Sequence, residues 1–268
     1  MSAHNRLPHG KLVLIFLSLS VILISCSFGE TDRIQFENCI LNEIRYDQFN
    51  SLKFQTISGG RIYRATQEFL FDDEVDIVGA YQFQYAPGLI TIINEDQPFS
   101  LKPFMTVVHD DFKPTQIQRY FYISGVTLYH DITYPQENII RIELTRETSA
   151  GDLFTFGYSI YELNSDGNII RNERFFADID NPTEFEKVQD RFYSYDDFPS
   201  PQVDLYLPFF ADINFPDVKF FSTNNILSFT ENNQVFQFQY EYGENNNTLS
   251  QTLPVGQSVE FKYANCDS

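Results

Sequence analysis

Apolar and polar side chains alternate with a period of two residues along most of the chain after residue 33. The clearest stretches are Tyr81-x-Phe83-x-Tyr85, Phe154-x-Phe156-x-Tyr158-x-Ile160 and Phe236-x-Phe238-x-Tyr240-x-Tyr242. Successive side chains of a strand point to opposite faces, so this alternation indicates strands that are buried on one face. The chain contains 28 Phe and 16 Tyr, an aromatic content that favours strands and excludes a disordered chain.

Four aromatic stretches are each followed by a turn signal and then by a shorter aliphatic stretch. The four units are Tyr81–Tyr85 with Leu89–Ile92, Tyr129–Tyr134 with Ile139–Ile142, Phe154–Tyr161 with Ile169–Arg171, and Phe236–Tyr242 with Leu249–Ser250. Pro-Gly, Asn and Asp-Gly sequences between them supply the geometry of tight hairpins. We therefore predict an all-β fold, an antiparallel meander of aromatic-rich hairpins in one large twisted or rolled sheet.

Few segments favour a helix. Asn42–Lys53 and Thr183–Arg191 are the two stretches expected to form short helices of two or three turns. A Pro- and Asp-rich stretch over 190–217 contains four prolines, which exclude a regular central strand. We predict that this stretch is a structured insertion in a single domain.

The first 25 residues predict a cleaved leader. Arg6 and Lys11 flank an apolar run of 13 residues, Leu12–Ile24, whereas a membrane-spanning helix needs about 20. The run ends in Leu-Ile-Ser before Cys26, an order that resembles a bacterial lipobox. The predicted organisation is a lipoprotein signal peptide over 1–25, a short lipidated tether over 26–32 and a single β domain over 33–268. The alternatives are an uncleaved N-terminal anchor and a buried helix.

The lipobox resemblance implies that Cys26 carries a diacylglycerol thioether and an acylated amine, such as a palmitate. Two or more acyl chains give stable attachment to a membrane. Ser27 in place of an Asp fits sorting to the outer membrane, and the periplasmic and extracellular faces both stay open.

The charge of the chain excludes one class of partner. Without Arg6 and Lys11, the only charged residues of 1–25, it has 16 basic and 37 acidic residues, a balance of −21. A protein with this negative charge repels phosphate backbones, so no nucleic acid is expected as a partner.

Two cysteines remain after Cys26. Cys39 and Cys266 lie near the two ends of the predicted domain. In an oxidising compartment an even pair favours a disulfide, which would link the ends of the domain. Two separate buried thiols are the alternative.

The chemistry of a catalytic site is sparse in this sequence. His109 and His130 are the two histidines after Cys26, and an Asp follows each one. A His beside a carboxylate can serve as an acid–base couple or as metal ligands, and a strand-end His with solvated acids is the alternative. The chain lacks H-E-x-x-H, G-x-S-x-G, P-loop and G-x-G-x-x-G sequences. We therefore expect no catalytic residue, no cofactor and no enzyme.

Clusters of acidic residues recur along the chain. Calcium requires several converging oxygen ligands, and no cluster matches an EF-hand loop. No metal site is expected, although the acids from which one would be built are Asp110, Asp111, Asp196 and Asp197.

Several short motifs follow one another in the second half of the chain. Tyr195-Asp196 is followed, after four residues, by Pro201. Later in the chain come Asn224-Asn225-Ile226, Tyr240-Glu241-Tyr242, and Tyr263 before Cys266. This order resembles the YD-like (Rhs-like) β-hairpin repeats of a Bacteroidota outer-membrane lipoprotein family of unknown function, over about residues 75–266. The resemblance implies a mostly antiparallel sheet and a lipid anchor, and it supplies no catalytic residues.

Together these features predict a lipid-anchored protein of the cell envelope that acts as a non-catalytic interaction or structural module. Its expected partners are the membrane, through the N-terminal lipid, and an envelope protein or a glycan. The alternative is a surface lipoprotein that binds a glycan or nutrient, since exposed aromatic rings on a sheet stack on sugars. A hydrolase is the third hypothesis.

Overall fold

The computed structural model describes residues 40–57, 61–71, 74–97, 102–110, 113–147, 150–178, 181, 183–202 and 217–264, all within one compact unit over 33–268. These residues form 17 strands: β1 Ile40–Arg45, β2 Asn50–Thr56, β3 Ile62–Phe71, β4 Glu74–Ala86, β5 Leu89–Asn94, β6 Met105–Asp110, β7 Lys113–Phe121, β8 Val126–Gln136, β9 Ile139–Glu147, β10 Leu153–Leu163, β11 Ile169–Ala177, β12 Phe185–Pro199, β13 Asn224–Glu231, β14 Gln234–Gln237, β15 Gln239–Tyr242, β16 Thr248–Thr252 and β17 Ser258–Ala264.

The strands form a single antiparallel meander that returns to its start. Each strand from β1 to β13 pairs with the next along the chain, and β1 also pairs with β17. In that last pairing Ile40 lies opposite Ala264, and Ile44 lies opposite Phe261. The all-β, antiparallel prediction is confirmed, and the pairing of β1 with β17 leaves neither strand as an exposed edge of the kind that favours aggregation.

One seam keeps the sheet from being fully closed. β14 pairs only with β13, and β15 pairs only with β16, although the two strands follow each other along the chain. The N–H of Phe238, which lies between them, donates to the carbonyl of Leu227 at 2.9 Å. β14 and β15 are therefore two parts of one long segment that is interrupted at Phe238.

A meander places its turns alternately at two opposite ends of the sheet. We call the end that holds Ile40 and Ala264 the proximal end and the opposite one the distal end. The four hairpins predicted from aromatic and aliphatic stretches all turn at the proximal end, at 87–88, 137–138, 164–168 and 243–247. Gly88 and Gly167 there have φ of 69° and 80°, which explains the glycines of the Pro-Gly and Asp-Gly signals. At the distal end Asn232 and Asn233 form a two-residue turn with φ of 51° and 62°.

The inward face of the closed sheet is an apolar core. Leu52, Ile92, Ile142 and Leu144 have no exposed surface. They belong to two clusters, one built mainly from β4–β11 and the other from β1–β3 and β17, and Phe83 packs against both. Buried side chains of this size each contribute about 1.5–3 kcal/mol. A round sheet of this many strands would enclose a channel. In this sheet the two apolar clusters fill much of the interior instead.

The connection between β12 and β13 contributes to this core. A single 3₁₀ turn, Val218–Phe220, follows Asp217, which accepts a hydrogen bond from the Lys219 N–H at 3.1 Å. Val218 belongs to the first cluster and Phe220 packs against the second. The described end of the connection, from Asp217 onwards, therefore packs against both clusters.

The outward face is largely polar, although it includes separate exposed apolar side chains such as Leu227, Val235 and Leu249. On β9 the buried residues Ile140, Ile142 and Leu144 alternate with Arg141, Glu143 and Thr145, which face outward. Ion pairs cross this face between neighbouring strands, including Lys53–Glu68 at 2.6 Å and Arg171–Asp190 at 2.8 Å.

Two predicted helices are wrong. Asn42–Lys53 forms β1, a turn and the start of β2, and Thr183–Arg191 opens β12. In the first case Asp47 Oδ1 accepts from the N–H groups of Phe49 and Asn50 at 2.6 and 2.7 Å, which makes a turn instead of a helical continuation. β12 also continues to Pro199, so it occupies the first ten residues of the Pro- and Asp-rich stretch. No helix within the described residues is long and apolar enough to cross a membrane.

Candidate functional site

Several residues that the sequence singles out lie outside the described part of the chain. They are Cys26, Cys39, Cys266 and Asp111. Lipidation of Cys26 and a bridge between Cys39 and Cys266 therefore stay predictions.

Asp196 lies at the proximal end, where its carboxylate accepts four hydrogen bonds. Oδ1 accepts from the N–H groups of Phe198 and Asn225 at 3.0 and 3.2 Å. Oδ2 accepts from Asn225 Nδ2 at 3.4 Å and from the Tyr242 hydroxyl. Burial, followed by the hydrogen bond to Asp196, raises the pKa of the Tyr242 phenol. The carboxylate thus ties β12 to β13 and β15, and these donors occupy its oxygens.

The other short motifs belong to the same network. Asn225 Nδ2 also donates to Thr248 Oγ1 at 3.0 Å, which adds β16. The Tyr195 hydroxyl donates to the Ile169 carbonyl at 2.6 Å, and the Tyr263 hydroxyl donates to the Thr248 carbonyl at 2.9 Å. The YD, Asn-Asn and Tyr-x-Tyr motifs therefore hold the proximal end together.

The remaining acids of the metal hypothesis do not converge. Asp110 is exposed at the end of β6, and Asp197 is exposed beside Asp196. Across the described ranges, no three His, Cys, Asp or Glu side chains lie close enough together to hold a metal ion.

The two histidines are separated from the acids beside them by the pleat of the strands. His130 is 5% exposed and faces the core, where its Nδ1 lies 3.3 Å from the Ile117 carbonyl oxygen. Asp131 points to the opposite face and accepts from Gln116 Nε2 at 2.7 Å. The same alternation separates His109 from Asp110 on β6. His130 and Asp131 therefore do not form an acid–base couple.

An arginine occupies an inward position near the distal end. β7 alternates Ile117, Arg119 and Phe121 on the inward face, so Arg119 takes a position that the pattern reserves for an apolar side chain. Its cross-strand neighbours on the same face are Met105 and Leu128, which are 3% and 5% exposed. β7 thus carries a cation at the boundary of the apolar core.

Aromatic rings surround the Arg119 guanidinium. Its Cζ atom lies 4.8 Å from the ring centre of Phe121 and 5.6 Å from that of Phe104. The Phe104 ring in turn packs 5.1 Å from the ring of Tyr81. Arg119 Nε is buried and has no hydrogen-bond partner, and no described carboxylate forms an ion pair with Arg119. Burial lowers the pKa of the guanidinium, against a smaller opposing effect of Tyr81.

A second arginine lies on the same face, closer to the rim. Leu128 is opposite Arg119 on one side and opposite Arg146 on the other. With neighbouring strands about 4.8 Å apart, the two arginine Cα atoms are about 10 Å apart, within reach of two long side chains. Arg146 is exposed, and Phe154, opposite it on β10, is 45% exposed. The inward face therefore opens to solvent here.

Five of the other described arginines are paired with a carboxylate, unlike Arg119 and Arg146. Arg45, Arg64, Arg141, Arg171 and Arg191 each lie within 4.0 Å of a carboxylate. Acidic residues outnumber basic ones by 37 to 18, so carboxylate partners are abundant. An arginine at the core boundary without one is costly, because burial removes water from the charge. We define Arg119, Arg146 and the rings of Tyr81, Phe104 and Phe121 as the distal arginine site.

On the outward face, the ring of Tyr158 is covered by its neighbours. Tyr158 stacks on Phe175 with ring centres 4.5 Å apart and an interplanar angle of 13°. The Arg141 guanidinium also lies over the Tyr158 ring, at 4.1 Å. Most of the aromatic stripe instead faces the core, where Tyr161 has no exposed surface.

Comparisons with known proteins identify the fold. The chain matches a porin-like protein from Bacteroides vulgatus with a TM-score of 0.57 and 12% identity, over 85% of this chain and 100% of that one. It matches another porin-like protein, from Bacteroides uniformis, with a TM-score of 0.53 and 12% identity, over 84% of this chain and 98% of that one. At such identities the likeness extends to the fold alone. No family model and no curated protein matches the sequence, so the YD-like family stays a resemblance.

Proposed function

We propose that this chain is a lipid-anchored protein of the bacterial outer membrane, whose closed sheet lies in water as a non-catalytic interaction module. The polar outward face of the sheet is the observation that carries this proposal. The Bacteroides neighbours support a cell-envelope protein, and the lipobox-like leader supports attachment at Cys26.

The outward face differs from that of strands that cross a bilayer. Such strands place apolar residues outward, and an Arg or Lys on the lipid face at the midplane costs about 2–4 kcal/mol. Here Arg171, Glu173, Lys187 and Asp190 form an ion-pair network on outward positions of β11 and β12. The porin-like description of the neighbours therefore does not make this sheet a membrane-embedded one.

The position of the chain ends fits a tether. The described chain begins at Ile40 and ends at Ala264, side by side at the proximal end. A lipid on Cys26 would then hold this end towards the membrane and leave the distal end free. The interaction surface is proposed to lie at that distal end, on either face of the outer membrane.

Release from the membrane tests this proposal. A site-specific protease sequence is inserted between Cys26 and Ile40, and washed membranes are treated with the protease. We expect the domain to move into the aqueous phase, whereas the chain without the inserted site stays with the membrane. Retention of the cleaved domain in the membrane would contradict a water-exposed sheet. Labelled palmitate should be incorporated into the chain but not into the Cys26→Ser variant.

The glycan-binding alternative has less support. A sugar stacks on an open aromatic face, and the outward stack has Phe175 on Tyr158 and the guanidinium of Arg141 over that ring. The non-catalytic part of the proposal is supported by the separation of His130 from Asp131, whose side chains lie on opposite faces of β8.

A further inference from the structure

We propose that the distal arginine site binds a small organic anion, with its anionic group on Arg119 and Arg146 and its apolar part on the neighbouring core surface. This inference rests on the proposed role of the domain as an interaction module. It adds the position of the site and the chemical class of the ligand.

The anionic group follows from the donors that the site leaves available. Arg119 Nε is buried without an acceptor, and Arg146 forms no ion pair with any described residue. A guanidinium presents a planar fork of donors that matches a carboxylate, sulfonate or phosphate oxygen pair. The Cα atoms of Arg119 and Arg146 are about 10 Å apart, so both guanidinium groups can reach the same anionic group.

The apolar part of the ligand follows from the walls of the site. Met105, Leu128, Phe104 and Phe121 surround the Arg119 side chain and carry no charge. Tyr81 is 8% exposed and adds a ring to the same wall. An acidic sugar would instead require several polar partners for its hydroxyl groups, which these side chains do not supply.

The cost of the unpaired cation supports a binding role over a structural one. Stacking on two aromatic rings offsets only part of the free-energy penalty for taking a charge out of water. The net charge of −19 makes an accidental shortage of acidic partners a poor explanation. A bound anion would supply the missing partner.

Calorimetric titration of the full chain in detergent tests the site with three probes of one shape. Octanoate, octan-1-ol and octylamine are titrated, and each heat is corrected by titration into detergent alone. We expect saturable binding of octanoate and none of the alcohol or the amine. Equal binding of octanoate and octan-1-ol would overturn the anionic part of the proposal. Binding of galacturonate without octanoate would overturn the apolar part.

Substitutions at Arg119 separate binding from folding. Arg119→Met should weaken octanoate binding tenfold or more and raise Tm by about 2–4 °C, because it removes an unpaired charge. Arg61→Met is the matched control: Arg61 also lies over an aromatic ring, 5.7 Å from the centre of Tyr85, but at the proximal end. It should leave octanoate binding unchanged. Unchanged binding in Arg119→Met would overturn the proposal.

Two more variants cover the case in which Arg119→Met is destabilised. Arg119→Lys keeps the charge without the planar fork and should bind octanoate more weakly than the wild type but more tightly than Arg119→Met. Binding of Arg119→Lys no tighter than that of Arg119→Met would overturn the role of the charge. Arg146→Met should weaken binding about two- to fivefold, as expected for an exposed charge. Failure of these titrations leaves the membrane-release result unchanged, so the two proposals fail separately.

Discussion

The two ends of the closed sheet differ in whether their polar side chains have partners. At the proximal end Asp196 accepts four hydrogen bonds, and the surrounding Tyr and Asn side chains are paired within the network. At the distal end Arg119 lies against aromatic rings and has no carboxylate partner among the described residues. A satisfied network makes an end rigid, whereas an unsatisfied cation stores free energy that a ligand can recover.

This difference shows that motifs and sites need not coincide. The residues that form recognisable short motifs make hydrogen bonds that hold the strands together at the proximal end. The residues of the distal arginine site belong to no motif, and their chemistry comes from their position in the sheet.

Loss of the Asp196 carboxylate should have the largest effect on stability. Asp196→Ala removes the acceptor of four hydrogen bonds, including one of the two from the buried Asn225 side chain, and should lower the free energy of unfolding by about 3–5 kcal/mol. Urea unfolding measures this change. Asp197→Ala, an exposed neighbour, is the control and should stay within about 0.5 kcal/mol of the wild type. A loss below about 1 kcal/mol in Asp196→Ala would remove the contrast between the two ends.

A paired arginine offers a direct comparison with Arg119. Arg191 lies 4.8 Å from the centre of the Phe229 ring, as Arg119 does from Phe121, but it also pairs with Glu231 at 3.1 Å. Arg191→Met should therefore lower the free energy of unfolding by about 1–3 kcal/mol, since Glu231 loses its partner. The opposite sign is expected for Arg119→Met in the same urea experiment. Destabilisation by both substitutions would mean that stacking alone sets the worth of these arginines.

The outward face should give the smallest effect, and it depends on pH. Hydrogen bonds from Arg171, followed by those from Lys187, lower the pKa of Asp190 from 3.8 to about 2. A lowered pKa in the folded state stabilises the fold above about pH 4, and this contribution is lost as the pH falls towards 2. Asp190→Asn should therefore reduce the loss of stability between pH 4 and pH 2 by less than about 1 kcal/mol. Urea midpoints across this range measure it, and a slope identical to that of the wild type would contradict the assignment.

The sequence predicts the hairpins of the proximal end because their signals are local. Pro87-Gly88 and Asp166-Gly167 give turns with φ above zero, and alternation assigns the strands on either side. The two predicted helices fail for a related reason. In Asn42–Lys53 the Asp47 turn separates two short alternating stretches, Ile44 with Tyr46 and Leu52 with Phe54, which helical spacing does not reveal.

The closure of the sheet and the distal arginine site depend on contacts between distant residues. The pairing of β1 with β17 joins residues more than 200 positions apart, and its local support is the ion pair of Glu43 with Lys262 at 3.3 Å. One sequence feature points to Arg119: it is a cation at an alternating position between the apolar residues Ile117 and Phe121. That signal becomes meaningful only when the strands on either side show which face is inward.

The adjacency of Ile40 and Ala264 means that the order of the strands along the chain is arbitrary with respect to the finished sheet. A short linker between these two residues and a cut at Asn232-Asn233 would give a circular permutant with the same pairings. In that permutant the start and end of the chain would move to the distal end, and a lipidated leader attached there would hold the distal end, instead of the proximal end, towards a membrane.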